Sequence, residues 1–115
     1  MELKDAAVGF GALSQTTRLR VLRELVTAGP EGIAAGDLAN AVDVPSSTLS
    51  FHLRELSIAG LVSSEKNGRL NIYKADYDGI RALIDFLIED CCRGGKTDCG
   101  VVDLRSSFND QVDQS

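Results

Sequence analysis

The sequence predicts a mainly α-helical domain with one small β-hairpin. Three observations carry that expectation. Leu49, Leu53 and Leu56 stand at i, i+4 and i+7, one apolar stripe along a helix. Ile80, Leu83, Ile84, Leu87 and Ile88 draw a second stripe further along the chain. Between the two, Asn67-Gly68 separates two short strand-like runs, the strongest short-range hairpin signal.

Taken in order, residues 5–13 read as a short helix of small residues, weakened by two glycines. Ser14 is a good N-cap for the next helix, where Leu19, Leu22, Leu25 and Val26 recur at helical spacing among Arg18, Arg20, Arg23 and Glu24. Gly29-Pro30 ends it. A brief extended piece, Gly32-Ile33-Ala34, leads to a helix near Ala35–Val42 with Leu38, Ala39 and Val42 turned inward. Asp43-Val44-Pro45 makes a tight turn, because the residue before a proline avoids the helical region. The helix from Ser46 closes at Gly60. Strands Leu61–Lys66 and Arg69–Lys74 flank a type I′ turn at Asn67-Gly68, and a final helix runs from Asp76 to Cys92. These elements imply a folded domain over 1–93 and a loose polar tail over 94–115 that carries the third cysteine.

A chain of 115 residues fits one domain with a modest core, in the range where association often completes it. Met-Glu-Leu-Lys-Asp lacks the basic start and apolar core of a signal peptide, and no apolar run approaches membrane-spanning length. The expectation is a cytoplasmic protein with reduced thiols and no membrane partner. A net charge of −5 argues at first against nucleic acid. Its distribution reverses that view. Residues 44–74 carry four Lys/Arg against two Asp/Glu, whereas residues 75–115 carry four against nine. A locally basic middle third leaves room for a phosphate-binding face.

Helix, short turn, second helix and hairpin together make a winged helix-turn-helix, whose second helix enters the DNA major groove while the wing touches backbone. The stretch Ser46, Ser47, Thr48, Ser50, Phe51, His52 and Arg54 is the candidate DNA-reading set, with Lys66 and Arg69 flanking the wing turn. Short hydroxyls approach base edges and phosphates closely. The plainer alternative is a solvated serine face, but serine has mediocre helix propensity, so a run of it on one face needs a reason. His52 lies at the edge of the core stripe, where a histidine is more often structural; it receives only a minor DNA role and no metal. The apolar face of the last helix suits a dimer interface, as reading an imperfect palindromic operator requires a two-fold axis. The expected partners are therefore double-stranded DNA and a second copy of the chain.

All three cysteines, Cys91, Cys92 and Cys99, fall within nine residues. Neighbours on a helix point about 100° apart, so Cys91 and Cys92 reach one atom only off the helix end. Gly94-Gly95 lets the chain turn back, and the seven residues to Cys99 span at most roughly 25 Å. Three sulfurs without a neighbouring histidine suit structural zinc poorly, since it wants four ligands. They suit a soft three-coordinate centre, and arsenite is the natural candidate, with antimonite or methylated arsenicals as variants. Idle buried thiols and a redox switch are the alternatives. Glu89, Asp90 and Asp98 disfavour a reactive thiolate. Enzymatic use of a thiol is not expected, because the only histidine is some forty residues away.

The runs Leu13-Ser14-Gln15-Thr16-Thr17-Arg18-Leu19-Arg20-Val21-Leu22, Ser47-Thr48-Leu49-Ser50-Phe51-His52-Leu53-Arg54-Glu55-Leu56 and Ala59-Gly60-Leu61-Val62, with the Gly68-Arg69…Tyr73 wing, resemble the ArsR/SmtB family of metal-responsive repressors. The resemblance covers roughly residues 8–92. It implies a homodimeric winged-helix repressor that leaves its operator when inducer binds, and it sets Ser46, Ser47, Ser50, Phe51 and His52 where the family meets bases. Many arsenic-sensing members carry Cys-x-Cys on the helix before the recognition helix. Here that helix reads Gly36-Asp37-Leu38-Ala39-Asn40-Ala41, without cysteine. The cysteines resemble instead a subgroup with a vicinal pair ending the last helix and a third cysteine just beyond.

Overall fold

The structure, a computed structural model, describes residues 1–89. Cys91, Cys92, Cys99 and the expected tail 94–115 lie outside the described residues. Five α-helices and three short strands follow one another as α1 (Leu3–Leu13), α2 (Thr16–Ala28), β1 (Ile33–Ala34), α3 (Ala35–Val42), α4 (Ser46–Ile58), β2 (Val62–Asn67), β3 (Leu70–Ala75) and α5 (Tyr77–Ile88). The architecture is the expected winged helix-turn-helix, mainly α with a small antiparallel sheet.

One core joins the helices of residues 1–83. Val21 and Leu25 from α2, Leu38 and Val42 from α3, and Leu49, Leu53 and Leu56 from α4 are fully or almost fully buried, with Leu61 beside them. Each such side chain contributes about 1.5–3 kcal/mol through area removed from water. The α4 stripe is as expected. On α2 the inward face is Val21, Leu22 and Leu25, while the expected Leu19 and Val26 are exposed. Val21 sits beside Leu22 and both extend a helical stripe, so spacing alone does not choose between the two faces.

Helix boundaries depart from expectation at α1, α2 and α5, the last of which runs over Tyr77–Ile88 rather than Asp76–Cys92. Helix α1 starts at Leu3 rather than Asp5, where Glu2 and Asp5 form a capping box. Ser14 ends α1 instead of capping α2: its hydroxyl donates to the Gly11 carbonyl at 2.8 Å. The cap of α2 is Gln15, whose side-chain oxygen accepts from the Arg18 backbone N–H at 3.0 Å. Between α3 and α4, Asp43 takes the left-handed conformation at φ 57°, which a short polar side chain tolerates.

The hairpin also differs from its expected register. Asn67 pairs with Leu70 and Lys66 with Asn71, so the two central turn residues are Gly68 and Arg69. Only Gly68 has positive φ, 66°, the pattern of a type II′ turn rather than type I′. Both turn types match the right-handed twist of the strands, and glycine serves the first as well as the second central position. Strand β3 is the centre of the sheet, with β1 on its other edge through Ile33↔Tyr73 and Ala34↔Ile72.

The start of α5 lies against the end of α4. A Cβ on Gly79 would strike the carbonyl oxygen of Gly60, itself at φ 78°. Only glycine permits that backbone approach. Asp76 caps the turn by accepting from the Gly79 N–H at 3.0 Å. Leu83 is the buried residue of α5, while Ile84 and Leu87 of the expected apolar face are exposed. Among the described residues, no helix is long and apolar enough to cross a membrane.

Candidate nucleic-acid interface

Helix α4 presents two chemically distinct faces. Leu49, Leu53 and Leu56 turn inward; Ser46, Ser47, Thr48, Ser50, Phe51 and Arg54 are all exposed. Burial of the leucine stripe leaves a face of hydroxyls, one aromatic ring and one guanidinium to solvent. Hydroxyls donate and accept, so they suit base edges and phosphate oxygens alike.

The N-cap of α4 is Pro45, and no side chain caps the helix. The first backbone N–H groups of α4 therefore end without a side-chain acceptor, at the positive end of the helix dipole. Such an end favours an anion.

On the wing, Ser63 to Arg69 are exposed. Arg69 occupies the turn itself and Lys66 stands on β2 one position before its end, so Arg69 does not flank the turn as expected. Among the described residues neither forms an ion pair, whereas Lys74 is paired with Glu65 nearer the middle of the hairpin. Lys66 and Arg69 are thus the wing cations left for an external anion.

His52 is not on the outer face. It is 7% exposed, and its Nδ1 accepts from the Nε–H of Arg18 at 3.1 Å. Burial first, and the Arg18 charge second, hold its pKa below the ordinary 6.5. The ring is neutral near pH 7 and serves as an acceptor inside the fold rather than as a contact on the surface. The same Arg18 guanidinium lies 5.4 Å from the centroid of the Phe51 ring. Arg18 is the site residue that the sequence did not reveal. It lies thirty-four positions before His52, and nothing in local spacing connects two such residues.

Among the described residues, no group of three His, Cys, Asp or Glu side chains could hold a metal ion. The candidate metalloid ligands Cys91, Cys92 and Cys99 lie beyond them.

The chain matches a family model described as a helix-turn-helix domain over residues 13–65, which spans α2 to β2. It is 31% identical to the arsenical resistance operon repressor of Bacillus subtilis, over 78% of this chain and 85% of that one. It is 32% identical to a homolog of the cadmium resistance transcriptional regulatory protein CadC from Staphylococcus aureus, over 70% of this chain but only 65% of that protein's length. Among solved structures, the homodimeric winged helix-turn-helix DNA-binding domain of a Mycobacterium bovis protein superposes with a TM-score of 0.63. That match has 26% identity and covers 76% of this chain and 82% of the other.

Proposed function

Because this chain belongs to the ArsR/SmtB family of winged helix-turn-helix regulators, we propose that it is a DNA-binding transcriptional repressor released from its operator by arsenite bound at Cys91, Cys92 and Cys99. The observation that carries the DNA half is the exposed outer face of α4, with no side-chain cap at its N-terminus and with wing cations that form no ion pair among the described residues. Base edges meet Ser46, Ser47, Thr48, Ser50 and Phe51, while phosphates meet Arg54, Lys66, Arg69 and the first N–H groups of α4.

The inducer half rests on donor chemistry. Three thiolates within nine residues, without a histidine among them, fit a soft centre of three-coordinate preference. Arsenite and antimonite share that preference; a methylated arsenical has fewer open positions and would use only part of the set. The Bacillus relative is named for arsenical resistance and the Staphylococcus relative for cadmium, both thiophilic. The cytoplasm is the compartment that keeps such thiols reduced. No catalytic step belongs to this reading.

Homodimerisation is supported by apolar side chains that are exposed among the described residues. Leu3 and Val8 on α1 and Ile84 and Leu87 on α5 are exposed, and the Mycobacterium bovis neighbour is a homodimer. A two-fold dimer reads an imperfect palindrome with half-sites about one helical turn, or a multiple, apart.

The test is a titration of the protein on a duplex selected by it from a random pool, with and without arsenite. Binding that weakens with arsenite and returns with a dithiol chelator is expected. Operator affinity that arsenite leaves unchanged would overturn the inducer assignment, and failure to enrich any sequence would overturn the DNA assignment.

A further inference from the structure

We infer that Arg18, outside the recognition helix, is a positioning residue that fixes the Phe51 ring on the DNA face for contact with a thymine methyl group, and that His52 is its buried anchor. The inference rests on α4 being the DNA-reading helix. Phe51 is 50% exposed, an apolar ring held out in water on a face otherwise made of hydroxyls and one guanidinium. Apolar contact with the thymine C5-methyl is the major-groove readout open to such a ring. An exposed aromatic side chain samples its rotamers freely unless something holds it.

The geometry supplies the hold. Arg18 stands in the first turn of α2, and its own backbone N–H is fixed by the Gln15 cap at 3.0 Å. From there its Nε–H bonds the His52 Nδ1 at 3.1 Å, while its guanidinium carbon lies 5.4 Å from the Phe51 centroid. Phe51 and His52 meet edge-on, with centroids 5.7 Å apart and planes at 61°. A planar fork can bond with its edge and face an aromatic ring at once; a lysine ammonium has no such plane. The bond also needs a lone pair on Nδ1, and burial of His52 keeps that ring neutral.

The test replaces thymines one at a time by uracil in the selected duplex, which removes only the methyl. Wild type is expected to lose about fourfold in affinity at one thymine of each half-site, the value of a single buried methyl. Phe51→Ala should be indifferent to that replacement. Arg18→Lys keeps the charge and should be equally indifferent, with salt dependence close to wild type. His52→Asn retains an acceptor in place of Nδ1 and should keep the uracil effect, whereas His52→Leu should lose it. Combining Arg18→Lys with Phe51→Ala should change nothing beyond Phe51→Ala alone. If wild type enriches a sequence but shows no uracil effect, or if Arg18→Lys retains it in full, the inference fails while the DNA reading stands. If wild type enriches no sequence, the DNA reading itself has failed.

Discussion

His52 combines an ionisable ring with an interior position, and the sign of its pH effect follows from that combination. Its folded pKa lies below 6.5, mainly through burial and then through Arg18. The unfolded chain therefore binds a proton that the folded chain refuses. The stabilising contribution is complete above about pH 6.5 and is lost as pH falls through that value toward the lower folded pKa. Denaturant midpoints measured from pH 8 to pH 5 should fall faster for wild type than for His52→Asn; parallel curves would remove the buried neutral histidine from the account. Surface residues obey a different logic. Lys66→Ala or Arg69→Ala should weaken operator and random DNA alike and reduce the salt slope by about one per phosphate contact. Ser47→Ala or Ser50→Ala should instead narrow the gap between operator and random DNA. Binding isotherms at several salt concentrations separate the two patterns, and an unchanged slope in the wing variants would show that the wing does not touch backbone.

At the scale of elements, α4 is the helix whose burial and function are both set by one periodicity. Leu53→Ala removes a side chain 2% exposed and should cost about 2–5 kcal/mol of stability, measurable by urea unfolding. A cost under 1 kcal/mol would mean that the stripe is not the core. The leucine stripe of α4 was readable because only one helical face offered apolar residues at i, i+4 and i+7. Helix α2 was readable as a helix but not in orientation, since Leu19, Val21, Leu22, Leu25 and Val26 cover more than one face. Packing against α3, α4 and the sheet chose Val21, Leu22 and Leu25. The hairpin was readable from its glycine, yet the turn moved by one residue. Asn67-Gly68 and Gly68-Arg69 both satisfy a two-residue turn, and pairing of Val62 with Ala75 at the other end of the ladder is compatible with the second alone.

The proposal asks the whole molecule to couple DNA binding to inducer binding, and α5 is the element to which it gives that task. Its first turn abuts the end of α4 through Gly79 and Gly60, and its sequence runs on toward the cysteines. An inducer that changes DNA affinity a hundredfold needs about 2.7 kcal/mol of differential binding between the free and DNA-bound forms. Replacing Cys91, Cys92 and Cys99 together by serine should leave operator affinity unchanged, because none of them belongs to the DNA-reading set. The same variant should lose the arsenite response. Fluorescence anisotropy with an operator duplex reads both, and a triple variant released by arsenite as readily as wild type would show that the sensor lies elsewhere.

The sequence by itself determined the helical class, the inward stripe of α4 and the presence of a glycine-turned hairpin. Each of these depends on residues within about a dozen positions of one another, where period, propensity and turn preference act. Only the tertiary structure decided the inward face of α2, the pairing of the expected extended piece Ile33-Ala34 with β3 and the close approach of Gly79 to Gly60. The same holds for the bridge from Arg18 to His52 and Phe51. These depend on which surfaces meet when the core closes. Burial energy is shared among all the helices at once, so no single segment of the chain carries it.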